Sequence, residues 1–201
     1  MHVPSITAFY LGILALIYAA LALLMMLAPA AVSLFATVAI CLATIAVERF
    51  VRGRAVKILP AGAVVTFAAV GCYVLLVEPG MSTSAVKFSV DVGMLLVILA
   101  SIAIRRPFTL QYAREEVDAE TAKLPGFIRA NYIISWVWAA SMVAMMVGNV
   151  ALIYVPGLPI WSSLLVAFAA RNSAIYFTKW YPEHRKAKYG APPATALPDT
   201  H

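Results

Sequence analysis

Six times along its length the chain runs for about twenty residues with almost nothing but apolar side chains: near 6 to 27, 31 to 47, 58 to 77, 85 to 104, 130 to 154 and 158 to 177. An α-helix rises 1.5 Å per residue, so about twenty residues cross the roughly 30 Å of hydrocarbon in a bilayer. Each stretch reads as a membrane span. The pattern predicts an all-α, polytopic membrane bundle of about six transmembrane helices in three hairpins. Composition agrees with this. A chain of 201 residues that is 63% hydrophobic and 12% charged, with mean hydropathy +0.90, carries more apolar side chains than a soluble core of that size buries. Residues 1–188 are expected to form one transmembrane helical domain, and 189–201, rich in Pro and Ala, a disordered tail.

The first two stretches are separated only by Ala28-Pro29-Ala30. Proline lacks a backbone donor and interrupts a helix, which favours a tight turn there; one long kinked helix is the alternative. The same triplet resembles a signal-peptidase site. A signal peptide, however, has a basic leading region and a shorter apolar core, so the segment is expected to be kept.

Orientation follows from the basic residues, which are retained on the cytoplasmic side. Arg49, Arg52, Arg54 and Lys57 cluster after the second stretch, Arg105, Arg106, Arg114, Lys123 and Arg129 after the fourth, and Lys179, Arg185, Lys186 and Lys188 after the sixth. With six spans all three clusters share one side. The opposite turns, Ala28-Pro29-Ala30, Glu78-Pro79-Gly80-Met81 and Val155-Pro156-Gly157-Leu158, have only Lys87 nearby. Both termini are therefore expected on the cytoplasmic side. Tyr154 and Trp161 at one end of the last hairpin, and Tyr176, Trp180 and Tyr181 at the other, suit the headgroup level. The net charge of +6 belongs to this membrane pattern, and nucleic acid is not an expected partner.

The longest polar segment, 105 to 129, contains Leu110 to Lys123, where Arg114 and Asp118 stand four apart and Leu110, Ala113 and Val117 share a face. It reads as a short helix along the membrane surface, with a solvated connector helix as the alternative, and Leu124-Pro125-Gly126 reads as its stop. Phe108-Thr109-x-x-Tyr112 is echoed by Phe177-Thr178-x-x-Tyr181. Duplication and ordinary hairpin construction both account for the echo.

The chemistry on offer is sparse. The histidines, His2, His184 and His201, lie near the chain ends, which excludes a bis-histidine haem in the bundle. Cys41 and Cys72 stand alone inside apolar stretches and read as small buried hydrophobes. No catalytic, phosphate-binding or dinucleotide motif occurs, and the acidic run Glu115, Glu116, Asp118, Glu120 reads as a solvated face. No catalytic residue, metal site or cofactor is expected, and an enzyme acting on lipid headgroups is disfavoured for want of a nucleophile and base.

Ionisable and amide side chains within the hydrocarbon are costly, by roughly 2.5 to 3.5 kcal/mol for a charge on insertion scales, and so become candidate site residues. Lys87 and Asp91 stand four apart in the fourth stretch, and Arg171 and Asn172 lie in the sixth. Asn149 follows a small-residue stripe, Ala140, Ala144 and Gly148, in the fifth. Asp91 with Lys87 reads either as a pair that fixes helix register or as part of a path for ions or substrate. Arg171 reads as snorkelling toward the interface, as hydrogen-bonding to another helix, or as facing the bundle to meet an anionic lipid or substrate headgroup. The stripe serves packing within the chain or a homo-oligomer.

From Lys87 to Asn149 the order of features is a lysine at the start of a helix, a long apolar span, Arg105-Arg106-Pro107 at its exit, Leu124-Pro125, then Trp138 and Asn149 on one helix. This order resembles the intracellular septation protein A family of small bacterial inner-membrane proteins, over about a third of the chain. Arg106, Pro107, Trp138 and Asn149 are the matching positions. The chain departs from the family in its longer segment between Pro107 and Leu124, and in a first hairpin without the expected charged and aromatic residues. The resemblance implies a protein without known catalytic activity, in the bacterial inner membrane, in contact with membrane lipids and with envelope or division proteins. The function expected is thus a non-enzymatic membrane protein of septation or envelope maintenance, acting through helix-helix or lipid contacts. The alternative is a small-molecule or ion transporter using Asp91, Lys87 and Arg171.

Overall fold

A computed structural model describes residues 28–189. The first expected span, 6 to 27, the tail beyond Tyr189, and His2 and His201 lie outside the described residues. All regular structure among the described residues is helical. In chain order the helices are α1 (Ala30–Ala46), continued by a π-helical turn (Val47–Val51), then α2 (Ile58–Leu76), α3 (Thr83–Ala103), α4 (Phe108–Ala113), α5 (Pro125–Tyr154) and α6 (Ile160–Tyr189), with one 3-10 turn (Thr121–Lys123) before α5.

Among the described residues four helical segments are long and apolar enough to cross a membrane: Ala30–Val51, Ile58–Leu76, Thr83–Ala103 and Pro125–Tyr154. Their large side chains face outward in numbers that water would not tolerate, Val65 at 68% exposure and Leu96 at 60% among them. Lipid is the solvent that suits such a surface. α6 is as long as α5, at 30 residues, but is not among the four, because Arg171 and Asn172 interrupt its apolar run and its second half is polar.

The chain divides into two units, at Val97 and Ile98 within α3. In the first unit α1 and α2 pack as a hairpin. Pro29 precedes α1 and its carbonyl accepts the Ser33 N–H at 3.3 Å, so the proline starts the helix as its missing donor requires. Leu34, Val74 and Val86 form a buried cluster, with Phe67, Val70 and Val90 around it. Close approach depends on glycine. A side chain at Gly62 would overlap Val97, and one at Gly93 would overlap Thr66, so at two points a side chain of one helix fills the space a glycine leaves on the other. α3 itself starts at Ser82, whose Oγ accepts the Ala85 N–H at 3.2 Å.

In the second unit α5 and α6 form a hairpin, joined through Val155-Pro156-Gly157-Leu158. Gly157 has φ +84° and follows a proline, the arrangement of a type II turn. A Cβ added at Gly148 would stand 3.3 Å from Val166 Cβ and 3.7 Å from Ser163 Cα. That part of the small stripe packs within the chain, while Ala140 is exposed.

The surface helix expected over Leu110 to Lys123 does not form. Only Phe108–Ala113 is α-helical, and Phe108, Thr109 and Leu110 are buried, α4 being packed against α5. Burying Phe108 and Leu110 contributes about 1.5 to 3 kcal/mol each. A six-residue helix turned inward gains more this way than a longer amphipathic one lying on a surface. The expected Arg114 and Asp118 spacing is not used in a helix; Asp118 instead accepts the Thr121 N–H at 2.8 Å, the Thr121 hydroxyl at 2.7 Å and the Glu120 N–H at 3.0 Å. Leu124-Pro125-Gly126 likewise begins a helix rather than stopping one, since Pro125 occupies the first turn of α5, where no donor is needed. Cys41 is half-buried and Cys72 exposed, so neither is the buried side chain expected.

Candidate functional site

The two arginines and proline that leave α3 are held by the backbone. Arg106 N–H reaches Ser101 C=O at 2.9 Å and Arg105 N–H reaches Ile102 C=O at 3.0 Å, with Arg105 at φ +59° between them. This is the paired closure that usually takes glycine. Pro107 follows, fully buried, and cannot continue the helix. Ser101, with no exposed surface, ties the exit together: its Oγ donates to Ile98 C=O at 2.6 Å and accepts the Phe108 N–H at 3.2 Å.

From that fixed exit, Phe108 and Thr109 enter the side of α5. Thr109 Oγ1 donates to Asn131 C=O at 2.8 Å and shares a hydrogen bond with Ser135 Oγ at 2.7 Å. Phe108 meets the Trp138 ring edge to face, with centroids 6.3 Å apart. Trp138 in turn donates its Nε1–H to Thr178 Oγ1 on α6 at 3.1 Å, and the Thr178 hydroxyl donates to Ala174 C=O at 2.7 Å. Phe108, Thr109 and the echoed Thr178 thus converge on one stretch of α5, from Asn131 to Trp138, while the ring of Phe177 lies against Trp180 and Tyr181 of its own helix. Sequence reasoning found the echo but not its meeting point, because Ser135 and Asn131 carry no signal of their own in an apolar run.

The candidate polar residues divide between the units. Lys87 and Asp91 are half-buried, one turn apart on α3. Lys87 also borders a recess of about 50 Å³ with Ala28, Ala30, Thr83 and Val86, room for water but far below the roughly 300 Å³ at which small-molecule pockets begin. Asn149 is buried on α5, and its Oδ1 accepts from Ser163 Oγ of α6 at 3.3 Å. Arg171 and Asn172 are exposed, and Asn172 Nδ2–H donates to Phe168 C=O in its own helix at 2.7 Å.

Of Arg106, Pro107, Trp138 and Asn149, Pro107 and Trp138 are linked through Phe108. Asn149 lies eleven residues, about 16 Å, further along α5, and Arg106 is exposed. Sequence reasoning missed Gly62 and Gly93, which look like ordinary helix glycines until the opposing side chains are placed. From Phe177 to His184 the last helix carries stacked aromatic pairs. Phe177 lies 5.0 Å from Tyr181, and Trp180 lies 4.7 Å from His184.

These features define an α-helical membrane protein whose buried polar side chains in the second unit bond from helix to helix. The chain matches no family model, no curated protein and no solved structure.

Proposed function

We propose that the chain is a six-helix, multi-pass protein of the bacterial inner membrane, with both termini cytoplasmic, that works without catalysis through helix-helix and lipid contacts in septation or envelope maintenance. The observation carrying this reading is the use of polar side chains in the second unit: Thr109 with Ser135, Trp138 with Thr178 and Asn149 with Ser163 bond across helices. Such pairs fix how helices pack. The resemblance over residues 87 to 149 supports the cellular role, with envelope or division proteins as partners. The order of basic clusters supports the orientation.

Two experiments bear on it. Single cysteines at Gly53, Glu116 and Gly157, in a chain with Cys41 and Cys72 replaced by alanine, are labelled with an impermeant maleimide in spheroplasts. Labelling at 157 alone is expected, and labelling at 53 or 116 from outside rejects the orientation. The second is complementation of a deletion strain scored for cell length and envelope leakage. A stably inserted Asp91→Asn protein is expected to complement fully. A stable variant that fails, together with a proteoliposome flux that needs Asp91, would give the protein to transport instead.

A further inference from the structure

The end of α1 carries an arrangement that membrane insertion alone does not require. Through Val47–Val51 the helix widens to the π form, with Arg52 N–H bonded to Val47 C=O, five residues back, at 3.2 Å, and beyond it Arg54 N–H closes the end on Glu48 C=O, six residues back, at 2.9 Å. Gly53, at φ +63°, lets the chain turn back there. Widened turns of this kind are rare and shift every later side chain around the helix axis. At this end two arginines stand beside one carboxylate. Arg52 is hydrogen-bonded to Glu48 Oε1, and Arg54 Nη1 lies 3.7 Å from Glu48 Oε2, an atom sealed from solvent.

Around this fixed acid stand Arg49, Arg52, Arg54 and Lys57, four basic residues against one acidic, for a net charge of +3 over 48–57. Between them Phe50 is 86% and Val51 77% exposed. Beside them, where α1 gives way to α2, a shallow recess with almost wholly apolar walls is lined by Thr44, Ile45, Val56 and Pro60 together with Lys57 and Glu48. Exposed apolar side chains and arginines beside a half-buried acid are thus combined at the end of an apolar helix. Retention of positive charge on the cytoplasmic side needs the charge but neither of the other two features.

Resting on the membrane reading above, we propose that this end of the α1–α2 hairpin is a binding site for an anionic phospholipid, with Arg49, Arg54 and Lys57 supplying charge for the headgroup phosphate and Phe50 and Val51 contact for the acyl chains. Glu48 is a positioning residue. It holds Arg52 and Arg54 before the lipid arrives, which lowers the ordering cost of binding. Phosphate is the shared chemistry of a lipid headgroup and a free anion, and the exposed Phe50 and Val51 favour the lipid, because a free phosphate has no use for apolar neighbours.

The full chain, purified in detergent, is titrated with phosphatidylglycerol and with phosphatidylcholine of the same acyl chains, and bound lipid is counted by native mass spectrometry. Phosphatidylglycerol is expected to bind more tightly. The double variant Arg54→Gln, Lys57→Gln should weaken it by about fivefold for each residue removed, whereas Lys179→Gln, Lys188→Gln should change it by less than twofold. Phe50→Ser should weaken phosphatidylglycerol with the charges intact, and circular dichroism with size-exclusion elution establishes that each variant is folded. Equal binding of the two lipids, equal losses from both double variants, or displacement of the lipid by millimolar inorganic phosphate would each overturn the site. Failure of the broader reading looks different: alkaline carbonate would release the chain from membranes, whatever its lipid preference.

Discussion

Trp138 on α5 donates its indole N–H to the hydroxyl of Thr178 on α6 across 3.1 Å, forty residues away in sequence and at the point where the same ring meets Phe108. One side chain therefore joins three helices of the second unit. Both partners of the hydrogen bond are half-buried, so neither is readily compensated by water.

Trp138→Phe and Thr178→Val are each expected to lower the stability of the protein in detergent by about 1 kcal/mol. The double variant should lose less than the sum, because both single changes remove the same bond. Thermal unfolding of the four proteins, followed by circular dichroism, measures this coupling, and strict additivity would deny the bond any part in stability.

Arg105 holds φ +59° at a helix exit, a conformation that disfavours any side chain with a Cβ. Arg105→Gly is expected to raise stability by about 1 kcal/mol, and Arg105→Val to lower it. Denaturant midpoints of the two variants should fall on opposite sides of the parent.

Gly62 and Gly93 admit Val97 and Thr66 of the facing helices. Gly93→Val should destabilise by about 1 to 3 kcal/mol through overpacking. Gly80→Val, at a glycine with open space around the position, should have little effect. A comparable loss at both glycines in the same unfolding assay would remove the close α2 and α3 approach from the account.

Asp118 has its carboxyl held below the ordinary carboxylate range, first by the Thr121 backbone N–H and then by the Thr121 hydroxyl. Its folded pKa is depressed, so the turn it stabilises is fully supported above the ordinary carboxylate pKa. That support is lost as pH falls through the lower, folded value. Amide exchange at Thr121 should accelerate, relative to intrinsic rates, only in that acid window, and Asp118→Asn should flatten the dependence.

The amino-acid sequence by itself marked the apolar runs that form the long helices, though not the short α4 or the extension of α6 to Tyr189, because apolar runs of fixed length can satisfy lipid and backbone together only as helices. Thr83–Ala103 against an expected 85 to 104, and Ile58–Leu76 against 58 to 77, differ only at frayed ends. It also marked Trp138, Asn149 and the exit at Arg105-Arg106-Pro107 as worth attention. Only the tertiary structure decided what they do. The period that proposed a surface helix over Leu110 to Lys123 is local, while the gain from burying Phe108, Thr109 and Leu110 against α5 depends on a partner far along the chain. The same holds for Gly62 and Gly93, whose role exists only where another helix arrives, and for the approach of Arg54 to Glu48, which no hydrophobic period foretells. Spans follow from the solvent each residue requires, and sites from which residues meet; a chain in lipid specifies the first residue by residue and the second only once its helices have packed.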